Sequence, residues 1–96
     1  MLIAICDDEQ SFRENLKSII FTYKAERRLH IDVYEYPTGE ALLNSGKVFD
    51  MIYLDYQMPG LDGMEVAREL RDMVAARFPE AEIYIAPIGP VIGAHA

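Results

Sequence analysis

With 96 residues and 51% hydrophobic side chains, the chain has the size of one domain with a single modest core, and its composition excludes a disordered polypeptide. Sixteen acids against nine bases give a net charge of −7, which argues against direct nucleic-acid binding, since phosphate contacts need clustered Lys or Arg. No apolar run approaches the roughly eighteen residues that span a bilayer, and the N-terminus shows neither the basic segment nor the cleavage site of a signal peptide.

The first apolar run, Leu2-Ile3-Ala4-Ile5-Cys6, stops at Asp7-Asp8-Glu9 and predicts a strand followed by an acidic turn. Cys6 is the only cysteine and cannot form an internal disulfide, which fits a cytoplasmic location; within an apolar run it is expected to be a buried core thiol. From Gln10 the period changes. Phe12, Leu16, Ile19, Ile20 and Tyr23 form one helical stripe, with Arg13, Glu14, Lys17 and Lys24 on the other sides and an end near Arg28. The only adjacent basic pair, Arg27-Arg28, reads as charge placed against the C-terminal end of the helix dipole. Residues 30–36 alternate in part, placing Ile31, Val33 and Glu35 on one face, which predicts a strand near a sheet edge. After the break at Pro37, Thr38 is the expected N-cap of a short helix carrying Ala41, Leu42 and Leu43, which Asn44-Ser45-Gly46 ends.

The stretch Met51-Ile-Tyr-Leu-Asp-Tyr-Gln-Met-Pro-Gly-Leu-Asp-Gly63 organises the rest. Its four leading apolar residues predict a strand buried on both faces, with Asp55 at the C-terminal end, where open α/β sheets carry their ligands. Pro59, Gly60 and Gly63 punctuate a loop, and a helix is expected from about Met64, with Val66, Leu70, Met73 and Val74 inward and Pro79 closing it. Ile83-Tyr84-Ile85 predicts a fourth strand. The order βαβαβαβ implies a parallel sheet with helices on both faces. Residues 86–96 change style, with Pro and Gly in place of charge, and offer at most an extended segment at Val91-Ile92.

If the two acid-ended strands are neighbours, Asp7, Asp8 and Asp55 share one pocket. Packed carboxylates repel, so near neutral pH they need a cation or must keep a proton. Hard oxygen donors with room for water and phosphate oxygens suit Mg²⁺. A carboxylate is also a competent nucleophile towards phosphorus once a cation neutralises the transferring group, so the pocket points to phosphoryl transfer onto an aspartate. The simpler alternative is a set of solvated loop acids that binds no specific ion.

Residues 3–9 and 53–63 together resemble the receiver domain of two-component response regulators, in the right order and at the right separation, and the resemblance covers about residues 2 to 86. The first motif is similar in style to receivers joined to LytTR-type DNA-binding domains. The resemblance implies a flavodoxin-like fold with strand order 2-1-3-4 and without the fifth strand and last helices. By the same resemblance Asp55 is the phospho-acceptor, Asp8 a direct Mg²⁺ ligand, Asp7 an acid acting through water, and Gln57 a metal ligand through its backbone carbonyl. Pro59 and Gly60 match the turn that shapes the site. The implied protein is a cytoplasmic phospho-accepting signalling domain rather than an enzyme, served by a histidine kinase.

Two departures from the family pattern stand out. The fourth strand leads into Ala86-Pro87 where the family has Ser or Thr, and no Lys follows Lys47 where the family places one after its fifth strand. The expected organisation is therefore a truncated receiver, 1–86, with an atypical tail, 87–96. An exposed fourth-strand edge would favour a homodimer. The alternative function is a degenerate receiver that binds partners without a phosphorylation switch. A haloacid-dehalogenase-like phosphatase would need a second Asp where Gln57 stands, and the phosphate loop of nucleotide triphosphatases is missing. His30 and His95 lack metal-ligand spacing. Strand packing accounts for Tyr53 and Tyr84, and Tyr56 stands beside the acceptor.

Overall fold

A computed structural model describes residues 1–88 except 59 and 61. In chain order the elements are β1 (Leu2–Cys6), α1 (Gln10–Arg27), β2 (Asp32–Tyr36), α2 (Gly39–Leu43), β3 (Met51–Asp55), α3 (Gly63–Arg77) and β4 (Tyr84–Ile88). The strands form one sheet in the order β2-β1-β3-β4, and all three pairings are parallel. This is the flavodoxin-like, doubly wound arrangement expected, with the two apolar runs at its centre.

Alternation along the strands divides the core in two. Ala4, Cys6, Ile52 and Leu54 face the layer of α2 and α3, where they meet Leu42, Phe49, Val66, Ala67 and Leu70. Ile3 and Ile5 face α1 and pack with Ile20 and Ile31. β2 lies at an edge, as its partial alternation predicts, and its two faces part the same way. Val33 packs towards α1, while Tyr34 and Tyr36 meet the ring of Phe49, each at a centroid distance of 5.9 Å.

Local chemistry sets the ends of the helices. Arg28 closes α1 in the left-handed region (φ 54°), and the N–H groups of Arg28 and Leu29 return to the carbonyls of Ala25 and Lys24. Thr38 caps α2, its hydroxyl accepting from Ala41 N at 3.1 Å. Asp62 caps α3 by accepting from Glu65 N at 2.9 Å. That cap was legible as the Asp-x-x-Glu spacing of residues 62–65, but the reading above starts the helix two residues later without it.

Three expectations need correction. β4 begins at Tyr84 and continues through Ala86 and Pro87 to Ile88, where the strand was expected over Ile83-Tyr84-Ile85. Proline is tolerated there because β4 is an edge strand, where a missing donor need not break the ladder. Ile19 and Tyr23 belong to the apolar stripe of α1 but are exposed, since only the side of that stripe bearing Leu16 and Ile20 meets the sheet. Tyr84 is likewise 66% exposed, so strand packing does not explain it, whereas Tyr53 does pack towards α1. His30 is at the surface, and His95, Val91 and Ile92 lie outside the described residues.

Candidate functional site

Parallel pairing of β1 with β3 puts Cys6 level with Leu54, so the next residue of each strand, Asp7 and Asp55, emerges at the same sheet end. Asp8 follows at the start of the turn. The three residues each offer a carboxylate oxygen, and these oxygens lie within 4.8 Å of one another. Asp7 and Asp55 are buried, at 3% and 5% exposure, whereas Asp8 reaches solvent. Such a trio of hard oxygen donors, two walled in and one open to water, could hold a small divalent cation.

Hydrogen bonds fix which oxygens remain available. Asp55 Oδ1 accepts from the backbone N–H of Gln57 at 2.8 Å, and Asp7 Oδ1 accepts from that of Glu9 at 2.9 Å. Each short loop thus engages Oδ1 of its carboxylate through a backbone N–H two residues on. Gln57 has an exposed side chain, and it is its backbone N–H that reaches Asp55. Pro59 lies outside the described residues. Gly60 takes a left-handed φ of 83°, and a Cβ there would come 3.1 Å from Glu40 Oε1.

The electrostatics follow from this crowding. Burial raises the pKa of Asp7, and the charges of Asp55 and Asp8 push it the same way; the Glu9 N–H bond opposes them. Cys6, one residue earlier, is pushed up to about 12, first by burial and then by the Asp7 and Asp55 charges. Its thiol is buried against the carbonyl of Thr38 and the sulfur of Met58, as a core thiol should be.

Sequence reasoning missed Arg13 by placing it on the outer side of α1. Its side chain is only 13% exposed. Nη1 donates to the carbonyl of Asp7 at 2.7 Å, and Nε pairs with Glu35 at 3.5 Å. Lys17, also assigned outward, reaches Glu35 at 3.3 Å. The signal was available: Glu35 shares a face of β2 with Ile31 and Val33, and a carboxylate on an apolar face requires a cation from the covering helix. Gly63 was read only as a loop residue. A Cβ at this position would sit 2.6 Å from the carbonyl oxygen of Asp55 and against Tyr56, so the start of α3 packs directly on the backbone of Asp55.

Fold and pocket together define an open α/β domain of flavodoxin type, with an acidic site at the ends of its central strands. Residues 3–85 match the family model of the response regulator receiver domain, and the chain belongs to that family. Over 80 residues it is 38% identical to the cyclic di-GMP phosphodiesterase response regulator RpfG of Xanthomonas campestris pv. campestris; the match covers 78% of this chain but only 19% of that relative's length. Among solved structures, the N-terminal domain of a response regulator/sensory box/GGDEF three-domain protein from Carboxydothermus hydrogenoformans superposes with a TM-score of 0.72 at 20% identity, covering 96% of this chain and 70% of that one. The CheY-like receiver domain protein from Methanospirillum hungatei gives a TM-score of 0.62 at 25% identity, covering 96% and 72%.

Proposed function

We propose that this receiver domain accepts a phosphoryl group on Asp55 from the phosphohistidine of a histidine kinase, with Mg²⁺ held by Asp8, Asp7, Asp55 and the carbonyl of Gln57. The supporting observation is the convergence of the Asp7 and Asp8 carboxylates on that of Asp55, whose Oδ1 accepts from the N–H of Gln57. Oδ2 attacks phosphorus, the P–N bond breaks, and the imidazole nitrogen keeps the electron pair and takes up a proton. When bound, the cation supplies the neutralising charge that lets anionic carboxylate and phosphoryl oxygens approach. The chain's own part is to hold Asp55 in line, to orient Asp7 through Glu9 and Arg13, and to exclude water from two of the three acids. This is a stoichiometric acceptor in a cytoplasmic signalling pathway, not a turnover enzyme with an external substrate.

The fourth strand supports a second reading. It brings Ile88 level with Asp55, and residues 86–88 carry no hydroxyl. With no hydroxyl at the end of β4 beside Asp55, phosphorylation has no polar side chain there to pull on, and the domain acts as a partner-binding module whether or not Asp55 is modified. Incubation with acetyl phosphate and Mg²⁺, read by intact-protein mass, tests the first reading. A gain of one phosphoryl group that disappears in Asp55→Asn supports it, and no uptake by either protein overturns it. Uptake without a change in the β4 amide spectrum would favour the second reading.

A further inference from the structure

Away from the acidic pocket, a shallow cleft with a cavity volume of about 40 Å³ lies between α2, the loop before β3 and the C-terminal half of α3. That is far too small to enclose a small-molecule ligand, so a partner would have to lie across the cleft on the surface. Buried Leu42 and Leu70 form its floor, and the exposed apolar side chains of Val48, Met73 and Phe78 stand around it. Its charged lining is Lys47 and Arg77, with no acid. That is unusual in a chain of net charge −7. The hollow on α1 carries Glu26, that between α3 and β4 carries Glu82, and that beside Tyr56 carries Asp72.

Neither cation is spent inside the protein: among the described residues, Lys47 and Arg77 form no ion pair. Lys47 is held in place by the ring of Tyr34, its Nζ 4.9 Å from the centroid. Arg77 belongs to the last turn of α3. Gly46, at φ 70°, turns the loop without adding a side chain, and the space where a Cβ would stand is open. An apolar cleft with exposed Val48, Met73 and Phe78 around it and two cations in its lining complements an acidic peptide that lays an apolar side chain across it between carboxylates. We propose that this groove docks such a peptide segment of a partner protein, independently of the phosphoryl site.

The probe is a synthetic peptide with a central Leu-Phe pair flanked on both sides by Glu and Asp, titrated into the isotope-labelled full chain and followed by NMR. The expected result is methyl shifts confined to Leu43, Val48, Met73 and Val74, with affinity falling as salt rises. The double variant Lys47→Glu, Arg77→Glu should lose about tenfold or more in affinity. Arg68→Glu, Arg71→Glu, which changes the net charge equally but lies off the groove, should lose little. The wall variant Met73→Glu should also weaken binding while the backbone spectrum stays folded. Equal losses in the two double variants would overturn the proposal, as would equal binding of a peptide with Lys at every acid. So would shifts located elsewhere. Dodecanoate occupying the cleft when the peptide does not, or self-association abolished by Lys47→Glu, Arg77→Glu, would assign it another occupant and overturn it too.

Discussion

Asp7 and Asp55 sit almost out of water a few ångströms apart, an arrangement that stabilises nothing by itself. The raised pKa of Asp7 means that the folded domain holds this proton more tightly than the unfolded chain. Its stabilising contribution is therefore complete below the ordinary value of 3.8 and is lost as pH rises through the folded pKa. In metal-free buffer at neutral pH, Asp7→Asn keeps the acceptor for Glu9 N while removing a charge, and should raise the melting temperature by a few degrees, about 1 kcal/mol. Near pH 3 the gain should vanish, and Mg²⁺ should stabilise the parent more than the variant. A lower melting temperature at neutral pH would show that the Glu9 bond outweighs the repulsion. Cys6 gives a second pH signature. Because its thiol shifts from 9.0 to about 12, stability should fall as pH rises across that interval, and iodoacetamide should label it only on unfolding. At this scale the sequence identified the acids and the buried thiol, because strand ends and apolar runs announce them. It could not show Arg13 turning back to the Asp7 carbonyl, since that depends on a helix crossing the end of β1.

The junction of β3 and α3 shows how an element can be right in type and still hide its function. Periodicity from Val66 onward marks the helix, yet the tight contacts lie just before it, where Gly63 meets the Asp55 carbonyl. Gly63→Ala would press a methyl group on backbone that cannot yield cheaply, and should cost about 2–4 kcal/mol in urea unfolding as well as acceptor function. A loss under half a kilocalorie, on the order of ordinary surface substitutions, would mean that α3 can shift outward. Asp62→Ala removes only a cap and should cost about 1 kcal/mol, with the acidic pocket intact. β4 was the least legible element. Pro87 speaks against a strand by local rule, and it is tolerated because the strand lies at the edge, a fact of sheet order rather than of local sequence.

For the molecule as a whole, the described residues leave two apolar regions open on the α1 side of the sheet. Tyr84 lies on β4 at 66% exposure, and Ile19 on α1 at 65%. Alternation carries Met51 and Tyr53 towards α1, and the register of β4 puts Tyr84 level with Met51 and Ala86 level with Tyr53, so one face runs from α1 to the open edge. Among the described residues the outer edge of β4 is unpaired and offers backbone groups to another strand, although Pro87 contributes no donor. Net charge of −7 opposes close approach of two copies, so the expected association is weak and strengthened by salt. Sedimentation should show a monomer in dilute low-salt solution moving towards a dimer as protein and salt increase. Tyr84→Lys should shift that equilibrium to monomer more than Ile19→Lys if the β4 edge forms the contact, and the reverse order would move the interface to α1. A monomer at every concentration and salt tested would show that the exposed face and edge do not pair copies of the domain.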